Sequence, residues 1–350
     1  METRSAKVVD LFCGAGGLTY GLELAGLHVV EGVDIDPACQ YPYEANTHAR
    51  YVQKNARDYQ ADELRRAWGD AEYRVLVGCA PCQPFSTYTQ GPRATYKTKW
   101  VLLNKFADLV VETEPDIVSM ENVTPLERTP TFRKFVRRLR QNGYHVSHSI
   151  LDCRQYGAPQ MRRRLVLLAS RLGPISVIDP THPAPEDWTT VKDAISALPP
   201  IDAGAVDASD PLHKSSRLSE INLRRIRASN PGGTWKDWPE DLVAKCHRKE
   251  TGKTYPGVYG RMEWEKPSPT ITGQSFGFGN GRFGHPEQDR ALSLREAAIL
   301  QTFPTNYLFV QPNETPSMKT VGRMIGNAVP PILGKTIGLS VAQHLAAFGK

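Results

Sequence analysis

The feature of this sequence that most constrains its fold is a series of short apolar runs separated by helical stretches. These runs are 7–17 (KVVDLFCGAGG), 28–36 (HVVEGVDID), 73–81 (YRVLVGCAP), 115–123 (PDIVSMENV) and 163–170 (RRLVLLAS). Stretches with helical spacing, such as 101–113 and 131–142, lie between them. Strands that alternate with helices predict an α/β fold with a mostly parallel, doubly wound sheet.

Such a sheet also predicts where a ligand binds, because ligands sit at the carboxyl ends of the strands in doubly wound folds. Four residues of chemical interest follow or close these runs, namely Gly14, Asp34, Cys82 and Glu121. We therefore expect one site to collect them.

The character of the chain changes near residue 174, where a proline-rich region begins and the strand–helix alternation stops. A length of 350 residues suits two domains. We predict a discontinuous first domain of residues 1–174 and 318–350, and a smaller, irregular second domain of residues 175–285. A connecting helix and loop are expected at 286–317.

Composition and charge narrow the class of protein. No apolar run reaches the roughly 18 residues that a membrane span needs, and the first run begins too early to leave room for a signal peptide, so we expect a cytoplasmic protein. Six cysteines do not make a disulfide framework in a chain of this length. Residues 133–171 hold ten Arg or Lys and one acid, Asp152. This cluster predicts either a polyanion partner or a solvated basic helix face.

The loop after the first run contains glycines at positions 14, 16 and 17. A dinucleotide-binding fingerprint would need another glycine at the position of Thr19. Asp34 closes the next run, where an acid typically binds ribose hydroxyls. The pattern therefore suits S-adenosylmethionine (SAM) better than a nicotinamide dinucleotide. The alternative is that the glycines only allow the strand and helix to pack.

The stretch VGCAPCQPFS (77–86) places two cysteines in a C-x-x-C spacing. A zinc site would need two further ligands at suitable spacing, but Cys153 and Cys246 are isolated, and no metal site is expected. A redox pair is typical of a small fold in which the motif opens a helix, whereas this chain is large and Pro84 follows closely. In the third interpretation, Cys82 alone is a nucleophile presented on a loop.

The segment Pro81-Cys82-Gln83, followed by Phe85-Ser86, resembles the nucleophile block of the DNA (cytosine-5) methyltransferases. Five further blocks resemble those of the family and occur in the family's order. They are DLFCGAGG (10–17), MENV (120–123), QMRRR (160–164), RALSLREAAILQTFP (290–304) and GNAVPP (326–331). Six ordered blocks spanning nearly the whole chain make the resemblance specific. It implies the Rossmann-like SAM-dependent methyltransferase fold, with a target-recognition region between QMRRR and RALSLRE.

The resemblance implies a covalent mechanism in which the Cys82 thiolate adds to carbon-6 of cytosine and activates carbon-5. The positive charges of Arg162 and Arg164 would favour that thiolate. Glu121 would hydrogen-bond or protonate ring nitrogen-3, and Asn122 would bond the backbone and fix the loop. Cys79 is then a small apolar residue at a strand end. The base that removes the carbon-5 proton is not named by the sequence, and a water molecule is one candidate.

The resemblance also assigns a SAM pocket, from which S-adenosylhomocysteine is the product. Its residues are Phe12, Gly14, Gly16, Gly17, Leu18, Asp34, Ile35, Asp58, Leu102 and Asn327. Arg57 stands where the family often has a glycine, so the carry-over to Asp58 is less direct. Because Asn327 comes from the far end of the chain, we expect the terminal segment to fold back onto the first domain.

Double-stranded DNA is the implied substrate, and the target cytosine must rotate out of the stack to reach Cys82. The segment 85–100 resembles the loop that closes over DNA in this family. The expected DNA contacts are Gln83, Ser86, Arg93, Lys97 and Thr270, the last from a Thr-Ile pair that resembles the family's Thr-Leu dipeptide. Base reading is expected from 216–238 and 268–285; alternatively, the tryptophans of 216–238 belong only to the core.

Three other functions compete with this reading. A tRNA methyltransferase of the same family would carry a Cys-Phe-Thr tripeptide, which this chain lacks. A catalytically inactive DNA-binding relative would not need Cys82 and Glu121, and a nicotinamide oxidoreductase does not explain Cys82. The resemblance favours a stand-alone prokaryotic enzyme of restriction-modification type, monomeric and nucleoid-associated through DNA. A separately acting restriction endonuclease is the further partner it allows, and the target sequence is not given.

Overall fold

The computed structural model describes residues 6–81, 101–249 and 256–348. These residues contain one seven-stranded sheet in the order β3-β2-β1-β4-β5-β7-β6. Its strands are β1 Ala6–Leu11, β2 His28–Asp34, β3 Arg50–Gln53, β4 Tyr73–Gly78, β5 Ile117–Val123, β6 His145–Asp152 and β7 Arg163–Ser170. Strand β7 runs antiparallel to both of its neighbours, and the other pairings are parallel. The predicted α/β class with a mostly parallel, doubly wound sheet is confirmed.

Each of the five apolar runs contains a strand, but the two strands at the sheet edges were missed. Strand β3 has only four residues. Strand β6 (HVSHSILD) buries only Leu151. An edge strand pairs on one side and faces solvent on the other, so its sequence lacks the apolar character by which the inner strands were found.

The helices lie between the strands and in the second half of the chain. They are α1 Gly17–Leu24, α2 Gln40–Asn46, α3 Ala61–Trp68, α4 Val101–Thr113, α5 Pro130–Gln141, α6 Val191–Ile195, α7 Glu220–Arg227, α8 Leu294–Leu300, α9 Met318–Asn327 and α10 Pro331–Phe348. Helices α4 and α5 match the predicted helical stretches. The start of α5 follows from Thr129, whose side chain accepts from the Phe132 N–H, and from Pro130 in the first turn. No helix among the described residues is long and apolar enough to cross a membrane.

Two compact units divide the chain differently from the predicted domains. The first unit comprises 1–156, 163–181 and 329–350, and the second comprises 157–162 and 182–328. Residues 157–162 join the second unit because the Met161 N–H donates to the Ser268 carbonyl at 2.7 Å. Residues 318–328 do so because α9 lies against the 272–273 backbone, where a Cβ on Gly326 would meet main-chain atoms at 2.0 Å. The recognition role of residues 175–285 stays a prediction.

Helix α10 packs closely against α1 within the first unit, so the terminal helix folds back onto the first domain as expected. Small residues allow this approach. A Cβ on Gly21 would lie 2.2 Å from the Pro331 carbonyl oxygen, and a Cβ on Gly338 would lie 2.6 Å from the Cβ of Ala25. The helix that begins at the glycine loop is therefore held by backbone-to-backbone packing.

This packing predicts that Gly338→Ala lowers the free energy of unfolding, although alanine favours a helix over glycine by up to about 1 kcal/mol. The added Cβ would overpack against Ala25, and overpacking typically costs about 1–3 kcal/mol. Denaturant unfolding of Gly338→Ala, Ala25→Gly and the double variant measures the effect. The double variant should be more stable than Gly338→Ala, because it removes the clash. A Gly338→Ala protein at least as stable as the parent would contradict the packing.

Candidate active site

The glycine loop is fixed to the end of the neighbouring strand by backbone hydrogen bonds. The N–H groups of Phe12 and Cys13 donate to the Val33 carbonyl at 2.7 and 3.2 Å, and the Gly14 N–H donates to Asp34 Oδ2 at 3.0 Å. Gly14 has a φ of 51°, in the left-handed region that glycine adopts without strain. The fold therefore brings Phe12, Gly14 and Asp34 together at the carboxyl ends of β1 and β2.

This corner has the properties of a nucleoside-binding site. Each carboxylate oxygen of Asp34 accepts one backbone N–H, from Gly14 and from Asp36, and keeps further acceptor capacity. Ile35 is 62% exposed, so its apolar side chain is available to cover a ligand. A Cβ built on Gly14 would meet no heavy atom of the described residues within 4 Å. The acceptor oxygens of Asp34 and the open space fit a ribose and an apolar ring.

A buried acid lies beneath the loop and was not identified from the sequence. Asp10 is fully buried in β1 and accepts a hydrogen bond from Thr19 Oγ1 at 2.8 Å. Thr19 Oγ1 also lies 3.0 Å from the Tyr43 hydroxyl. Burial raises the pKa of Asp10 to about 8, and the charge of Asp34 adds to this effect. Thr19, which replaces the glycine of a dinucleotide fingerprint, is thus used to bind Asp10.

The remaining predicted cofactor residues are spread over both units. Gly16 and Gly17 lie at the start of α1 and Leu18 is buried in its first turn. Leu102 lies in the first turn of α4. Asp58 is exposed in a turn after β3, where its N–H donates to the Asn55 carbonyl at 2.9 Å. Asn327 ends α9 in the second unit.

Glu121 and Arg164 meet on one face of the sheet. In the β5–β7 register Glu121 is opposite Val166 and Arg164 is opposite Val123, which makes them diagonal neighbours. Arg164 Nε lies 3.0 Å from Glu121 Oε1, and the glutamate side chain is only 2% exposed. Arg163 is exposed, as expected from the alternation of side chains along a strand.

Cys79 makes the second contact with the Glu121 carboxylate. Its Sγ lies 2.7 Å from Glu121 Oε2, and its N–H donates to the Leu11 carbonyl at 3.3 Å. Burial and the glutamate charge raise the pKa of the Cys79 thiol well above its usual range. Cys79 is therefore a protonated thiol that donates to Glu121. Its interpretation as an apolar residue at a strand end was incomplete.

Asn122 ties the end of β5 to the segment that leads to Cys82. Its Nδ2 donates to the Ala80 carbonyl at 2.9 Å, and its Oδ1 accepts from the Val123 N–H at 2.9 Å. The expectation that Asn122 bonds backbone is confirmed. It fixes the chain two residues before Cys82.

The two arginines expected to act together have different partners. Arg164 pairs with Glu121, whereas Arg162 belongs to the second unit and binds main-chain carbonyls there. The guanidinium of Arg162 donates to the carbonyls of Ile271 and Ala328, each at 3.1 Å, and contacts that of Gly326 at 3.4 Å.

The QMRRR block also binds Thr270-Ile271 within the second unit. Gln160 Oε1 accepts from the Ile271 N–H at 3.1 Å, and the Thr270 hydroxyl donates to the Met161 carbonyl. Thr270 itself is partly exposed. Its hydroxyl therefore has an internal partner as well as access to solvent.

The proposed reading stretch 216–238 is partly core. Trp235 and Trp238 are each 6% exposed and pack with Leu242, as the alternative interpretation expected. The arginines of α7 are more accessible: Arg224 and Arg227 lie on the surface, in ion pairs with acids. The predicted residues Cys82, Gln83, Ser86, Arg93 and Lys97 lie outside the described residues.

Comparisons with known proteins identify the family to which the chain is similar. The family model for C-5 cytosine-specific DNA methylase matches residues 6–343. The Type II methylase M.HgiDII of Herpetosiphon aurantiacus is 53% identical over 97% of this chain and 95% of its own. The Type II methyltransferase M1.HphI of Haemophilus parahaemolyticus is 31% identical over 97% of this chain and 87% of its own.

The fold has solved counterparts. A protein described as a DNA modification methyltransferase encoded within a prophage (E. coli) is 22% identical with a TM-score of 0.72, over 98% of this chain and all of that one. At this identity the likeness concerns the fold alone. The family match over nearly the whole length is the stronger finding: the chain belongs to the C-5 cytosine-specific DNA methylases and is a SAM-dependent DNA (cytosine-5)-methyltransferase.

Proposed function

We propose that this methyltransferase modifies one specific double-stranded DNA sequence through a covalent adduct of Cys82 with a flipped-out cytosine. The observation that carries the proposal is the environment of Glu121. Its Oε1 is buried beside Arg164 and has no hydrogen-bond partner among the described residues. A buried carboxylate oxygen without such a partner is costly in a finished structure. A carboxylate oxygen needs a donor, and the amino group on carbon-4 of a bound cytosine would supply it.

The cofactor site lies in the same unit, at the carboxyl ends of β1 and β2. Asp34 would accept the ribose hydroxyls, Ile35 would cover the adenine, and the loop from Phe12 to Leu18 would follow the remainder. When bound, SAM supplies an electrophilic methyl group. Asp58, Leu102 and Asn327 remain cofactor residues by resemblance, without a supporting contact.

Cys82 follows the segment that Asn122 holds at Ala80. Its thiolate would form a sulfur–carbon bond to carbon-6 of cytosine. The carbon-5–carbon-6 π electrons then move to carbon-5 and, through carbon-4, to nitrogen-3, which makes carbon-5 the nucleophile for the methyl group. Glu121 would hydrogen-bond or protonate nitrogen-3 and so stabilise the negative charge that develops there. A proton given up in this step leaves a carboxylate that is paired with Arg164. After the methyl group is transferred, a base removes the carbon-5 proton and the sulfur–carbon bond breaks.

Residues 175–285, which belong to the second unit from 182 onward, would supply sequence recognition by meeting base edges in the major groove. The exposed Arg224 and Arg227 of α7 and the partly exposed Thr270 support this assignment. Arg162 would act from within this unit by holding the Ile271 and Ala328 backbone. We place the enzyme in the cytoplasm on nucleoid DNA, as a monomer, with any restriction endonuclease acting separately.

Bisulfite sequencing of plasmid DNA from cells that express the protein tests the function. We expect conversion-resistant cytosines at one recurring sequence, and none with Cys82→Ala.

Exchange of residues 180–275 for the equivalent region of a relative with another target should transfer that target. Unmodified plasmid would contradict the activity, and an active chimera that kept the original target would place recognition elsewhere.

The roles of the Glu121 and Asp34 carboxylates should be separable by kinetics. Glu121→Gln should lower the rate of the chemical step by roughly 10² or more, the usual scale for losing a general acid, with SAM affinity nearly unchanged. Asp34→Ala should mainly weaken SAM, because it removes both the ribose acceptor and the partner of Gly14 N–H. Single-turnover rates and equilibrium SAM titration measure the two effects. If Glu121→Gln chiefly weakened SAM binding, the assignment of the two acids would be wrong.

A further inference from the structure

The orientation of the Glu121 carboxylate is not settled by its own side chain. The last torsion of a glutamate is broad, so the plane of the carboxylate is set by what its two oxygens contact. For proton transfer to a ring nitrogen that plane must be correctly aimed. The groups that contact the two carboxylate oxygens therefore set this orientation.

The two oxygens of Glu121 have different partners. Arg164 Nε approaches Oε1 at 3.0 Å, but this contact is an ion pair and does not have hydrogen-bond geometry. Cys79 Sγ donates to Oε2 at 2.7 Å. An ion pair depends mainly on distance, whereas a hydrogen bond also depends on angle. The thiol is therefore the directional contact among the described residues.

The thiol itself is rigidly placed. The Cys79 N–H is bonded to the Leu11 carbonyl at the end of β1, and the residue directly follows β4, which pairs with both β1 and β5. The charged groups that act on it are Glu121, Arg164 and the buried Asp10. The net effect on the thiol keeps it protonated, and this preserves its ability to donate.

We propose that Cys79 is a positioning residue for methyl transfer: its thiol donates to Glu121 Oε2 and, with Arg164 at Oε1, orients the carboxyl group toward the cytosine ring. This inference rests on the role proposed for Glu121. It gives the two cysteines of the C-x-x-C spacing separate tasks. Cys82 reacts with the base, and Cys79 orients the acid.

The test compares Cys79→Ala with Cys79→Ser in single-turnover methyl transfer, at saturating SAM and target duplex. A thiol is a weak donor, so loss of its hydrogen bond in Cys79→Ala should lower the rate roughly three- to tenfold. SAM affinity should stay unchanged. Cys79→Ser keeps a donor of similar size and should recover most of the rate. Cys153→Ala, which removes a buried thiol beyond β6, is the matched control and should behave as wild type.

A double-mutant cycle with Glu121→Gln separates the two proposals. If Cys79 acts through Glu121, adding Cys79→Ala to Glu121→Gln should slow the reaction little further. Equal rates for the alanine and serine variants, or independent effects in the double variant, would overturn the role of Cys79. A fully active Glu121→Gln enzyme would instead overturn the role of Glu121. Thermal melting of each variant shows whether it is folded. If Cys79→Ala does not fold, Cys79→Ser decides: a wild-type rate in that variant supports the proposal, and a slow rate overturns it.

Discussion

The candidate active site depends on the burial of one carboxylate, that of Glu121, at the end of an inner strand. Removing a charge from water is expensive unless a cation and hydrogen-bond donors compensate. Arg164 reaches it from β7, and Cys79 reaches it from the end of β4. The antiparallel β7 is what allows this, because its register places Arg164 diagonally opposite Glu121. The strand order thus brings together residues that are distant in sequence.

The same geometry explains why the proposed cofactor corner and the proposed catalytic acid, Glu121, share one edge of the sheet. Strands β1, β2, β4 and β5 are parallel, so their carboxyl ends coincide. The loop after β1 is bonded to the end of β2, and the segment after β4 is bonded to the end of β1 and to Asn122. These short connections leave the site little freedom. Helix α10 supports it from the opposite end of the chain by packing on α1.

Much of the fold and part of the site followed from the sequence. Inner strands are buried on both faces, so they are recognisable in the sequence as apolar runs, whereas the edge strands β3 and β6 are not. Glu121 was predicted from the resemblance of its MENV block, and Asp34 from its position as an acid at a strand end. The thiol of Cys79 was missed because a cysteine reads as a small apolar residue until its partner is known. The different partners of Arg162 and Arg164 depend on tertiary contacts, and those of Arg162 with Ile271 and Ala328 come from more than a hundred residues away in sequence, which no local pattern reveals.

We propose that Cys82 attacks cytosine while the buried, oriented Glu121 stabilises the negative charge that develops on the ring. The most direct measurement uses a target duplex with 5-fluorocytosine at the modified position. Fluorine at carbon-5 cannot leave as a proton does, so the sulfur–carbon bond to Cys82 cannot break after methyl transfer. Wild-type enzyme with SAM should form a denaturation-resistant adduct on that duplex, and Cys82→Ala should form none. An adduct that persisted in Cys82→Ala, or its absence in an active wild-type enzyme, would contradict the account.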